Sequence, residues 1–115
     1  MIGAFIGVMA GADSPLVASS ADFFVQPGGA VAGVPFTQQP VVRLLDQHEN
    51  PMLDFTGPVE MSISSGTGTL SGTTTVNAVA GVATFTDLEL DLAGDFSLNA
   101  SIDAFGLGSD IFHVD

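Results

Sequence analysis

The fold is decided by the stretch Gly81-Val-Ala-Thr-Phe-Thr-Asp-Leu-Glu-Leu-Asp-Leu-Ala-Gly-Asp-Phe-Ser-Leu-Asn-Ala-Ser-Ile102. From Phe96 to Ile102, apolar and polar residues alternate strictly. A strand places successive side chains on opposite faces, so this alternation is typical of a strand with one buried face. The end of the stretch therefore predicts a half-buried β-strand.

The first half of the stretch keeps the same alternation with one slip. The apolar positions that end at Phe85 resume at Leu88, an odd three positions further on. Both side chains face the core only if the chain bends or bulges near Thr86 and Asp87, as at a sheet edge or a sandwich corner. A turn then follows and ends at Gly94, which can adopt a positive φ.

Short predicted strands fill the rest of the chain from Ala21 onward, with turn signals about every ten residues. No segment shows the period of a helix. We therefore predict an all-β sandwich of about seven strands in two antiparallel sheets. The predicted core residues are Val42, Met61, Phe85, Phe96, Leu98 and Phe112.

The charge of the chain excludes several kinds of partner. Thirteen acidic residues stand against a single basic one, Arg43, and the formal net charge is −12. Such a chain cannot neutralise phosphates, so we expect no nucleic-acid partner and no binding to anionic membranes. It has no cysteine, which excludes disulfides, thiolate metal sites and cysteine nucleophiles. The balance is compatible with secretion into salty water or with a salt-adapted source.

Residues 1–20 differ in character from the rest. Met1 to Ala12 are apolar and uncharged, but a bilayer-spanning helix needs about 20 apolar residues, so no membrane insertion is expected. The small residues from Ala10 to Ala12 fit a signal cleavage site, although the basic amino-terminal region of a signal is missing. We interpret residues 1–20 as an apolar leader that is a secretion signal, a linker or an assembly arm, and residues 21–115 as the folded domain.

Several short motifs, taken in their order and spacing, resemble one family. They are Phe23-x-x-Gln26-Pro27, Ala32-Gly33, Pro40-Val-Val-x-x-x-Asp46, Gly66-Thr-Gly-Thr-Leu-Ser-Gly72, Gly81-Val-Ala-Thr-Phe85 with Leu88, Gly94-x-Phe96-x-Leu98 and Phe112-x-Val114. With them, residues 21–115 are similar to the bacterial immunoglobulin-like (Big-type) repeat domains of large secreted and surface-attached proteins, including adhesins. The resemblance implies an immunoglobulin-like β-sandwich that acts as a spacer or binding module, with no catalytic residues to carry over.

The chain departs from the family pattern at two places. Asp46 is followed by Gln-His-Glu-Asn50-Pro51 where the family usually turns with Gly-Asn, and Phe96 stands where the family often has tyrosine. The turn is therefore expected to differ, and the phenolic hydrogen bond of a tyrosine corner is absent.

The sequence contains no catalytic constellation of residues. Its two histidines are His48, in a predicted loop, and His113, on the outward face of the last predicted strand. A nucleophile needs a base within hydrogen-bond reach, and two surface histidines do not supply one. We expect no enzymatic activity, no catalytic residues and no cofactor.

Two groups of acidic and amide residues are the candidates for calcium, which binds several carboxylate and carbonyl oxygens. Neither group matches a calcium loop of fixed spacing. A solvated strand face explains one group, and a chain this acidic places carboxylates together by chance, so no metal site is assigned. The two groups are Asp87, Glu89 and Asp91 on a strand, and Asp46, Glu49, Asn50 and Asp54 around a loop.

Phe24 lies on the face opposite Phe23 and Val25, and we expect it to be exposed or covered by the leader or a neighbouring module.

These observations favour a non-catalytic module of an extracellular or cell-surface protein. We expect it to act as a structural spacer or adhesion segment whose partners are neighbouring immunoglobulin-like modules or another protein. One alternative is a structural subunit of a fibre or virion that assembles through its apolar N-terminal arm. Another is a calcium-dependent ligand-binding module.

Overall fold

The computed structural model describes residues 16–115, and these residues form an all-β fold without a helix. The leader prediction falls mostly on residues 1–15, outside the described residues. The first strand begins at Ala18, three residues earlier than the sequence pattern indicated. Residues 16–115 contain no helix long and apolar enough to cross a membrane. Their strands are β1 (Ala18–Val25), β2 (Val41–Asp46), β3 (Pro58–Ser65), β4 (Leu70–Ser71), β5 (Thr75–Asn77), β6 (Val82–Thr84), β7 (Glu89–Leu90), β8 (Gly94–Ile102), β9 (Phe105–Gly108) and β10 (Phe112–Val114).

The strands form three sheets in which every named pair is antiparallel. The first sheet has the order β1–β2–β6, and the second has the order β9–β8–β3–β5, with β10 also pairing with β8. A short two-stranded sheet joins β4 to β7. The one parallel contact between described residues is an isolated bridge between Ala30 and Val114. It ties the segment after β1 to the end of β10.

A single hydrophobic core lies beneath these sheets and takes side chains from all three of them. The alternating residues of β8 from Phe96 to Ile102 are buried, as their pattern predicted. The prediction of a fully buried core position is wrong for Phe112, which is only partly buried and packs against the edge of the core. Its ring packs edge-on against Phe36 with the ring centroids 5.5 Å apart. The other predicted core residues, Val42, Met61, Phe85 and Leu98, are buried.

The bend predicted near Thr86 and Asp87 is the point where the chain changes sheets. β6 pairs with β2, whereas β7 pairs with β4. Between them the side-chain amide of Gln39 replaces the missing strand partner. Its Oε1 accepts a hydrogen bond from the backbone N–H of Leu88 at 3.0 Å, and its Nε2 donates to the Leu88 carbonyl at 3.1 Å. The backbone N–H and carbonyl of Leu88, the buried residue that follows the bend, are thereby satisfied, as burial requires.

The turn after β3 depends on Gly66. Its φ of 109° lies in the left-handed region, and a Cβ at this position would overlap the ring of Phe96. Glycine is the residue that adopts this conformation without steric cost and leaves room for the ring. The turn therefore closes over the largest side chain of β8.

Candidate functional site

A surface groove of 430 Å³ lies on the outer face of the second sheet. Three of its side chains form a row across the strands, since Glu60 on β3 pairs with Ser101 on β8 and with Thr75 on β5. Neighbours in register on one face of a sheet lie close together, so the carboxylate stands between two hydroxyls. The groove is lined by Phe55, Pro58, Glu60, Thr75, Ser101 and Asp103.

The apolar wall of the groove is the ring of Phe55, in the segment before β3. A Cβ added at Gly57 would stand 3.0 Å from the Cε1 atom of this ring, so the missing side chain at position 57 lets the ring lie against the backbone. The Phe55 backbone is bonded on both sides, because its N–H donates to the Met52 carbonyl and its own carbonyl accepts from Gly81, both at 3.0 Å. The wall is therefore held in place by the fold.

The two acidic side chains of the groove, Glu60 and Asp103, have no hydrogen bond or ion pair with any residue between 16 and 115. Asp103 occupies the two-residue turn between β8 and β9, with a φ of 52°. Aspartate tolerates this left-handed conformation better than most residues. Both carboxylates are exposed and remain available to a ligand.

Asp46, a member of the predicted calcium group around the loop, instead accepts hydrogen bonds that close this loop. It is only 4% exposed. Its Oδ1 accepts backbone N–H bonds from His48 at 2.8 Å and from Asn50 at 3.1 Å, which closes the loop after β2. This is the local turn chemistry that aspartate favours. Glu49 and Asp54 are exposed around it.

In the predicted calcium group on the strand, Asp87 and Asp91 also hold backbone N–H groups, over a longer range in sequence. Asp87 accepts hydrogen bonds from the backbone N–H of Thr73 at 2.8 Å and from its hydroxyl at 3.0 Å. Asp91 accepts the N–H of Thr69 at 2.6 Å. Both carboxylates fix the threonine-rich segment around β4 onto the strands that follow the bend. Within residues 16–115, no three acidic or histidine side chains lie close enough to share a metal ion.

The histidines are both exposed, as predicted. His113 lies directly across from Asp95 in the β10–β8 pair, and its Nδ1 is 2.8 Å from the Asp95 carboxylate. Its Nε2 is 3.4 Å from Asp115. The hydrogen bond to Asp95 raises the pKa of His113 above its ordinary value, with a further contribution from the charges of both carboxylates.

The single basic residue is fully engaged on the outer face of the first sheet. Arg43 donates to both carboxylate oxygens of Asp22, at 3.0 Å from Nε and 2.6 Å from Nη2. Its guanidinium lies 4.3 Å from the centre of the Phe24 ring. These hydrogen bonds raise the pKa of Arg43. Phe24 itself is 61% exposed to solvent.

Comparison with known proteins gives no matching family model and no curated protein of significant sequence similarity. The groove is the feature that sequence reasoning missed. Alternation along β3 and β8 does place Glu60 and Ser101 on an outer face, but no sequence pattern gives the register that sets them side by side.

Proposed function

We propose that this chain is an immunoglobulin-like, non-catalytic module that serves as a structural spacer or adhesion segment of an extracellular or surface protein. The order of its strand pairs supports the immunoglobulin-like arrangement. β1, β2 and β6 pair as strands A, B and E do in that fold, and β3, β8 and β9 pair as C, F and G do. β4 takes the place of strand D and pairs with β7, which continues strand E. β5 is an additional strand next to strand C.

The spacer function is supported by the relative direction of the first strand, β1, and the last strand, β10. The Asp110 N–H donates to the Gln26 side chain at 2.9 Å, and four residues further along each segment Ala30 bridges Val114 in parallel. The segment from Ala18 to Ala30 therefore runs in the same direction as the segment that ends at Val114. The first strand begins at one end of the domain, and the last strand ends at the other.

Such an arrangement suits modules that are joined end to end. Twelve residue steps separate Ala18 from Ala30, and a rise of about 3.3 Å per residue gives each module a length of up to about 40 Å. Repeated modules then extend a distal segment by that amount at each step.

The absence of a catalytic role is supported by how the reactive side chains are used. Three of the acids considered for calcium, Asp46, Asp87 and Asp91, hold loops, and His113 pairs with Asp95. None of these arrangements sets a hydroxyl nucleophile beside a histidine base, the pairing that many acyl-transfer enzymes use.

Small-angle X-ray scattering of two chains fused head to tail tests the spacer function. The maximum dimension should exceed that of the single chain by about the 40 Å length of one module. A fused pair that folds side by side, with little increase in length, would contradict the proposal.

Immunolabelling of intact source cells tests the location. An antibody against the folded domain should label the cells before lysis, whereas an antibody against an internal protein should label them only afterwards. Labelling that appears only after lysis would rule out a surface role.

A further inference from the structure

We propose that the groove of Phe55, Glu60, Ser101 and Asp103 binds the guanidinium group of an arginine side chain presented by a basic segment outside these 115 residues. The lining has the three elements that recognise this group. It has an aromatic ring for stacking, carboxylates for charge-assisted hydrogen bonds and hydroxyls as further acceptors. Its 430 Å³ lies within the range of about 300–1,000 Å³ found for ligand sites.

The chain itself contains a filled arrangement of the same kind. On the first sheet the guanidinium of Arg43 lies over the ring of Phe24 and makes two hydrogen bonds to the carboxylate of Asp22. The groove repeats the aromatic and acidic partners of that arrangement, with Phe55 in the role of Phe24 and Glu60 in the role of Asp22. It has no guanidinium of its own among the described residues.

The number of basic residues in the sequence restricts the source of the guanidinium group. The whole sequence has one lysine or arginine in total, Arg43, and that residue is already paired with Asp22. A second copy of this chain would bring further negative charge and no free arginine. The occupant is therefore a basic segment from outside these 115 residues, and the net charge of −12 attracts such segments from a distance.

The carboxylates of the groove are suited to this role because they are uncommitted. Asp22, Asp46, Asp87, Asp91 and Asp95 each hold a named partner within the domain. Glu60 and Asp103 have none within residues 16–115, so an incoming guanidinium need not break an internal bond. Arginine is favoured over lysine here because its planar guanidinium stacks on an aromatic ring and can donate two parallel hydrogen bonds to one carboxylate.

Titration of the full ¹⁵N-labelled chain with the capped peptide Gly-Gly-Arg-Gly-Gly tests this inference. Amide signals of Glu60, Ser101 and Asp103 should shift together and saturate at millimolar peptide, because exposed ion pairs are individually weak. A matched peptide with uncharged citrulline in place of arginine should bind at least about threefold more weakly, since it lacks the charge-assisted bond.

Charge-matched variants separate the groove from general attraction to an acidic protein. Glu60→Gln and Asp103→Asn should each weaken binding about three- to tenfold. Glu49→Gln and Asp110→Asn remove the same charge from exposed positions outside the groove and should leave the affinity unchanged. The native spectrum of each variant confirms that it is folded.

Three results would overturn the inference. They are shifts spread evenly over the acidic surface, equal weakening by Glu49→Gln and Glu60→Gln, and equal binding of the citrulline peptide. The titration uses a single chain and the scattering experiment uses no peptide, so the groove and the end-to-end arrangement can fail independently.

Discussion

Replacing Asp46 with alanine removes the acceptor that closes the loop after β2. Asp46 is 4% exposed as a residue, and its carboxylate accepts two backbone N–H bonds, at 2.8 Å from His48 and 3.1 Å from Asn50. A hydrogen bond to a charged group contributes about 1.5–3 kcal/mol. The two donors belong to exposed residues, so water replaces part of what the variant loses. We expect Asp46→Ala to lower the free energy of unfolding by about 2–4 kcal/mol.

Urea unfolding at neutral pH, followed by far-ultraviolet circular dichroism, measures this loss. The chain has no tryptophan and no tyrosine, so its fluorescence is a poor probe. With a denaturant slope of about 2 kcal/mol/M, the midpoint should fall by about 1–2 M urea. Asp46→Asn keeps one acceptor oxygen without its charge and should lose about half as much.

Asp54→Ala is the matched control, because Asp54 is exposed in the same region and has no partner between residues 16 and 115. It should change stability by less than about 0.5 kcal/mol. Equal midpoint shifts for the two variants would show that the loop bonds of Asp46 carry no net stability. A calcium-dependent rise in the midpoint of the native chain, lost equally in both variants, would restore the calcium site.

Phe96→Ala should cost about 3–5 kcal/mol, because it empties the volume beneath the Gly66 turn. A urea midpoint close to that of the native chain would refute this. Because the pKa of His113 is raised, its ion pair with Asp95 stabilises the fold fully below about pH 6.5, the ordinary pKa of histidine. This stabilisation is lost as the pH rises through the pKa of His113 in the folded state. The difference in melting temperature between the native chain and His113→Gln should therefore be larger at about pH 5.5 than at about pH 8.5. An equal difference at the two pH values would contradict this prediction. Sodium chloride should raise the melting temperature between about 0.01 and 1 M, as the screening length falls from about 30 to 3 Å; a flat or falling curve would show that repulsion is unimportant.

Local alternation predicted the parts of this fold that depend on one strand at a time. The period-two pattern of β8 gave its buried face, and the odd spacing between Phe85 and Leu88 gave the bend. It could not show that the bend is a change of sheet, because pairing is not local. It also overestimated the burial of Phe112, since one strand's pattern does not reveal how completely neighbouring segments cover that strand.

Less of the candidate site can be predicted from the sequence, for the same reason. The strand pattern places Asp87 and Asp91 among the candidates for calcium, but it does not reveal their partners Thr73 and Thr69, which are 14 and 22 residues away. Likewise the groove needs Glu60 and Ser101 in register across two strands that are far apart in sequence. Long-range pairing decides which acids are occupied and which are free.

The position of Arg43 has a consequence for proteolysis. Trypsin cleaves after lysine or arginine, and in this chain that leaves a single cleavage point, the bond between Arg43 and Leu44. The bond lies within β2, the middle strand of the first sheet, with Asp22 and Val82 as neighbours on either side. A protease needs an extended, unpaired segment, so cleavage must wait for this sheet to open. The rate at which trypsin cuts the chain therefore reports how often the domain unfolds.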